Sequence, residues 1–90
     1  MDNKISESGD SIKVIVKDQH DVKMYFMMKK DVPVKKLLLD YCRRQRLVFR
    51  EVNFLLNGSR FQPHLTPNEL EMETGDEFEA MSPVLGGAGA

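Results

Sequence analysis

One segment of this chain, Val34 to Gln45, repeats its apolar residues at helical spacing, and the segments on either side do not. Val34, Leu37, Leu38, Tyr41 and Cys42 stand at i, i+3, i+4, i+7 and i+8, which gathers them into one stripe. Lys35, Lys36, Asp40, Arg43 and Arg44 fall largely outside it. A single amphipathic helix cannot cover its own stripe, so the rest of the chain has to supply the facing surface. Pro33 is expected at the first helical position, where its missing N–H costs nothing. Val32 before it is a poor cap.

The flanking segments read as strands. Ile12, Val14 and Val16 alternate with Lys13 and Lys17. After a turn-rich Lys17–Asp21 stretch, Met24, Phe26 and Met28 alternate with Lys23, Tyr25, Met27 and Lys29, and the short connection predicts an antiparallel hairpin. Beyond the helix, Val52 to Leu56 forms a third strand. Asn57-Gly58 closes it, a pair suited to a turn with positive φ at both central positions. A short strand near Arg60 and Phe61 is expected to return from that turn. Thr66, Pro67 and Glu69 have the pattern of a capped helical turn, with the glutamate reaching back to the threonine. Gly75-Asp76 leads into a last strand, Glu77 to Met81, with Phe78 and Ala80 on one side. The reading is an α+β domain: a mixed sheet of about five strands on one main helix.

Ninety residues suffice for one domain. The expected organisation is a polar tail over residues 1–11, a folded domain over 12–81 and a tail of small residues over 82–90. No apolar run approaches the roughly 20 residues that cross a bilayer, so no membrane association is expected. The polar start does not resemble a secretory leader. One cysteine, Cys42, excludes a disulfide framework and a thiolate metal cluster, and suggests a reducing compartment. The net charge of −1 conceals a split. Residues 11–60 hold twelve Lys/Arg against five Asp/Glu, whereas residues 61–90 hold six acids and no base. Such a split is consistent with two surfaces for partners of opposite sign, or with the two halves pairing at the surface. The bases are not interleaved with exposed aromatics, which argues against nucleic acid.

VKKLLLDYCRRQ over Val34–Gln45, LLNGSRF over Leu55–Phe61 and TPNELEMETGD over Thr66–Asp76 resemble the corresponding segments of SUMO, the small ubiquitin-related modifiers. Gly86-Gly87 stands at the family's distance after the last strand. Together they cover Ile12 to Gly87 and imply the ubiquitin-like β-grasp. The chain departs from the family at Arg46, where a glycine usually ends the helix with φ > 0, at Asn57 in place of an acid, and at Pro83 and Leu85 before the glycine pair. It resembles a diverged member.

No catalytic constellation is legible, so an enzyme is not expected, and no cofactor or metal either. His20 and His64 lie apart in polar turns, and Cys42 on the apolar stripe reads as a small hydrophobe. The resemblance implies instead that the Gly87 carboxylate, preceded by Gly86, is joined to lysines of target proteins after residues 88–90 are removed. The partners it implies are a SUMO-type activating enzyme, a conjugating enzyme, ligases and a processing protease. It further implies a groove for SUMO-interacting-motif proteins, made of Met24, Phe26, Met28, Leu37 and Tyr41, with Lys29, Lys36 and Arg44 facing acidic flanks. A surface for the conjugating enzyme would comprise Glu71, Glu73, Asp76 and Glu79; a solvated acidic face explains the same residues. The chain is expected to be a monomer in nucleus and cytoplasm. The alternative is a ubiquitin-like module that binds such peptides and is never conjugated.

Overall fold

Residues 11–82 are described by a computed structural model of the chain. Its elements are β1 (Ser11–Asp18), β2 (Lys23–Lys29), α1 (Val34–Gln45), β3 (Asn53–Leu56) and β4 (Glu77–Met81), with one 3₁₀ turn at Phe49–Glu51. The strands form one sheet in the order β2-β1-β4-β3. The outer pairs are antiparallel and the central β1–β4 pair is parallel, with Ile15 opposite Glu77 and Lys17 opposite Glu79.

Period-2 patterning decides which side is covered. Ile12, Val14 and Val16 of β1 and Phe78 and Ala80 of β4 are buried against Val34, Leu37, Leu38, Tyr41 and Cys42 of α1. Lys13, Lys23, Tyr25 and Met27 lie on the other face and are exposed. The β1–β2 turn is organised by Asp18, whose carboxylate accepts the N–H groups of His20 at 2.7 Å and Val22 at 3.0 Å. Asp21 takes φ 65 there, a conformation that a short polar side chain tolerates.

The helix begins one residue later than expected. Pro33, with ψ 138, is the cap residue and Val34 the first helical one. No side chain caps that end. Val34 instead donates to the Leu65 carbonyl and Lys35 to the Pro63 carbonyl, each at 2.9 Å, so a distant loop satisfies two otherwise orphaned donors. At the other end Arg46 has φ 60 and ψ 41, the left-handed conformation expected at the family's glycine position. The Leu47 N–H reaches the Cys42 carbonyl at 2.8 Å, the closing bond of a Schellman turn.

The sheet has four strands among the described residues, not five. Asn57 (φ 50) and Gly58 (φ 86) form the expected turn, but the return from it stops at a single bridge between Leu56 and Ser59. Phe61 turns inward against Phe78, with ring centroids 5.1 Å apart. Pro63, without an N–H, then carries the chain away to the helix start. Thr66 and Glu69 do form a capping box: the Thr66 N–H donates to the Glu69 carboxylate at 3.0 Å, and the Glu69 N–H to the Thr66 hydroxyl at 3.1 Å.

Candidate functional site: a groove beside the edge strand

β2 is an edge strand, and its hydrogen-bond phase determines what it can offer. Asp18 donates to the Val22 carbonyl at 3.0 Å, which makes that pair a bonded one in the antiparallel ladder. Alternation then turns the N–H and C=O of Lys23, Tyr25 and Met27 to the side away from β1. These are main-chain groups positioned to pair with an incoming strand.

Beside that edge lies a groove of about 240 Å³, lined by Phe26, Met27, Met28, Lys29 and Val32 on one side and Lys36, Leu37 and Asp40 on the other. Met28 and Leu37 are nearly covered and form its floor. Five of the expected groove residues therefore come together: Phe26, Met28, Lys29, Lys36 and Leu37. Tyr41 does not line it; the residue is 2% exposed in the core, where its ring meets Phe54 edge-on at 6.2 Å. Periodicity put Tyr41 on the apolar stripe, and the middle of a stripe is core, not rim. Met24 lies towards the helix end, its sulfur accepting a hydrogen bond from Gln45 Nε2 at 3.0 Å.

Arg44 is near the groove but already engaged. Its guanidinium lies over the Phe26 ring, 5.8 Å from the centroid, while Nε donates to Asp40 at 2.8 Å. Arg43 donates to the other Asp40 oxygen at 2.7 Å. These two hydrogen bonds, that of Arg43 first, hold the Asp40 carboxyl below its ordinary 3.8. Among the described residues neither Lys29 nor Lys36 belongs to an ion pair, and both line the groove. Val32, Met27 and Asp40 line the groove without having been singled out from sequence. The i, i+4 spacing of Lys36 and Asp40 was the available signal, since it puts both on one helix flank.

The acidic residues are dispersed in role. Glu71 (φ 56) ends the Thr66 turn and is exposed, as is Glu73. Asp76 accepts the Glu73 N–H at 2.9 Å and so fixes the turn before β4. Glu79 stands on the outer sheet face, opposite Lys17 on β1 and Leu55 on β3. Asn57 closes the hairpin, its side-chain oxygen accepting the Glu77 N–H at 3.1 Å. Cys42 is buried, and burial pushes its thiol above the ordinary 9.0. Among the described residues no group of three His, Cys, Asp or Glu is placed to hold a metal, and no helix is long and apolar enough to cross a membrane. Gly86 and Gly87 lie outside the described residues.

Comparison with known proteins places this geometry. The family model described as Ubiquitin-2 like Rad60 SUMO-like matches residues 12–81. Small ubiquitin-related modifier 2 of Arabidopsis thaliana is 40% identical over 86 residues, 96% of this chain and 84% of that protein. The solution structure of SUMO from Trypanosoma brucei superposes with a TM-score of 0.68 at 31% identity, covering 90% of this chain and 79% of that one. A ubiquitin from Caldiarchaeum subterraneum superposes at 0.74 with 14% identity over 80% of this chain and 92% of that one, a likeness of fold alone. A β-grasp sheet with this helix, matched through nearly its whole length to small ubiquitin-related modifiers, establishes that the chain belongs to the SUMO family.

Proposed function

We propose that this chain is a covalent protein modifier of SUMO type, joined through the Gly87 carboxylate to lysines of target proteins once residues 88–90 have been removed. The observation that carries the reading is the extent of the similarity. An interval covering 96% of the chain has to reach about residue 86, past the end of β4 at Met81 and into the glycine pair. A likeness of fold alone would need to go no further than the sheet.

In this reading a SUMO-type activating enzyme uses ATP to adenylate the carboxylate, displacing pyrophosphate. A thiolate of the activating enzyme then displaces AMP to give a thioester, and a thiolate of the conjugating enzyme takes over the acyl group, freeing the first thiol. A target lysine attacks the thioester carbonyl on the conjugating enzyme and releases the thiol, with ligases assisting. Glycines suit such a tail because the absence of Cβ lets it pass through a narrow enzyme channel. Glu71, Glu73, Asp76 and Glu79 would face the conjugating enzyme. The groove beside β2 would receive SUMO-interacting-motif peptides by strand addition, with Lys29 and Lys36 meeting acidic flanks. The chain would act as a monomer in nucleus and cytoplasm.

The free β2 edge also supports the reading without conjugation, a module that only binds such peptides. One reaction separates the two: chain ending at Gly87, incubated with ATP, activating enzyme and conjugating enzyme. A thiol-sensitive adduct on the conjugating enzyme supports the modifier. Absence of any adduct, under conditions that charge a known SUMO, refutes it.

A further inference from the structure

At the sheet's opposite edge, a second apolar cleft of about 230 Å³ lies between α1 and β3, lined by Leu38, Phe49, Arg50, Val52, Phe54, Phe61 and Pro63. We propose that this cleft and the outer edge of β3 form a second peptide-docking site. Its ligand is a short extended segment of another protein carrying an aliphatic or aromatic side chain next to a carboxylate.

Three observations carry the assignment. The first is the phase of the β3–β4 ladder. Asn57 donates to the Glu77 carbonyl at 2.8 Å, so the bonded pairs are those of Asn57, Leu55 and Asn53. Alternation therefore turns the N–H and C=O of Phe54 and Leu56 outward. Leu56 spends both on Ser59, at 2.7 and 2.9 Å, whereas those of Phe54 point outward beside the cleft with no backbone partner among the described residues.

The second observation is the cleft wall. Phe49 and Phe54 stack with centroids 5.8 Å apart, and both are only half-buried, as is Phe61. That is aromatic surface for one inserted side chain.

The third is charge. Arg50 lines the cleft, and Lys35 Nζ sits 5.6 Å from the Phe49 ring centroid. No acidic side chain lines the cleft, and neither cation belongs to an ion pair among the described residues. Glu51, next in sequence, lines a separate hollow with Asn53 and Met81. Arg50 in the wall and Lys35 beside the Phe49 ring favour a carboxylate next to the inserted side chain, which sets the chemistry of the partner.

The test uses the full chain, ¹⁵N-labelled, carrying Lys29→Glu and Lys36→Glu to silence the β2 groove. The probe is a synthetic acetylated peptide with a Phe-Leu pair between two aspartates on each side. The expected result is saturable shifts of the Phe54 and Arg50 amide signals. Adding Lys35→Glu and Arg50→Glu, both at exposed positions, should weaken binding at least about fivefold, as should replacing the peptide's aspartates by asparagines. An unchanged spectrum elsewhere reports that the variants fold. Absence of saturable shifts up to millimolar peptide overturns the proposal. So does a Phe54 signal that moves with protein concentration alone, the mark of a second copy. Shifts on deleting residues 1–10 from the peptide-free chain would identify the chain's own acidic segment as the occupant, and likewise overturn it. The readout does not depend on conjugation, so its failure leaves the modifier reading standing.

Discussion

The two edges of this sheet are built from the same materials and differ in what they leave unspent. β2 is a seven-residue strand whose N–H and C=O groups at Lys23, Tyr25 and Met27 point away from β1 along an apolar groove, without a partner among the described residues. β3 has four residues; the tight turn at Asn57-Gly58 consumes the outward groups of Leu56 and leaves those of Phe54. Each main-chain hydrogen bond contributes ~0.5–1.5 kcal/mol net, so the longer edge can hold an extended partner at least about tenfold more tightly. Turn chemistry, as much as strand length, thereby sets which edge is the stronger receptor.

The largest expected effect breaks the stronger edge outright. Phe26→Ala with Lys29→Glu and Lys36→Glu removes a wall and reverses both groove lysines, and calorimetry should find affinity for an acidic-flanked apolar peptide reduced roughly a hundredfold or more. Phe26 is half-buried against the core, so the triple variant should lose ~1–2 kcal/mol of stability and still fold. Unchanged affinity would remove the groove from the account.

A subtler change isolates the main chain. Met27→Pro deletes one outward N–H while leaving the β1–β2 ladder bonds in place, since proline is accepted on edge strands with its nitrogen towards solvent. Peptide affinity should fall roughly tenfold with salt dependence preserved. An affinity equal to that of the parent would mean that side chains, not strand pairing, hold the peptide.

Arg46→Gly is the control that touches neither edge. It should raise stability by about 1 kcal/mol in denaturant melts, because glycine takes φ 60 without the Cβ strain. Peptide binding at both edges should be unaffected. A destabilised variant would contradict the strain argument.

Alkaline pH tests the core between the edges. Burial raises the pKa of Cys42, and burial first and the Asp18 charge second raise that of Tyr41. Both groups ionise more readily in the unfolded chain. Their contribution is intact below the ordinary values and is lost progressively as pH rises past 9.0 for the thiol and 10.0 for the phenol. Melts from pH 7 to 11 should decline in that window, and Cys42→Ala should remove the first part of the decline.

The smallest effect concerns Arg44. Asp40→Asn frees it from its carboxylate partner and should tighten acidic peptides in the groove less than about threefold, the range of an exposed ion pair. A large gain would mean that Asp40 repels acidic partners directly. Because the Asp40 pKa lies below 3.8, this restraint persists throughout the neutral and mildly acidic range.

Much of this is legible in the amino-acid sequence. Alternation located β1, β2 and β4, helical spacing located α1, and the family's missing glycine pointed to positive φ at Arg46. What escaped was competition between elements. Arg60 and Phe61 read as strand, yet Phe61 gains more by packing on Phe78, and Pro63 is drawn off to close the helix. The resemblance implied Tyr41 in the groove, and periodicity could not correct it, because it identifies a face and says nothing of whether a residue sits at its centre or margin. The pairing of Asp40 with Arg44 was hidden because i, i+4 spacing permits an ion pair without requiring one. The β3 cleft was invisible because its walls come from Leu38, the 3₁₀ turn and Phe61, segments with no common sequence pattern.

The borrowed caps on α1 bear on when this molecule can fold, not only on how. The first amides of the helix are held by carbonyls of Pro63 and Leu65, and β1 finds its parallel partner only at Glu77. Local contacts can assemble the β1–β2 hairpin early, but the central pairing and the helix start must wait for loop closures of considerable length. During synthesis the amphipathic stripe of α1 is therefore made well before the segments that complete its shelter. Pulsed hydrogen exchange should find the amides of Val34 and Lys35 protected together with β4, and later than those of the hairpin; simultaneous protection of hairpin and helix start would contradict this order.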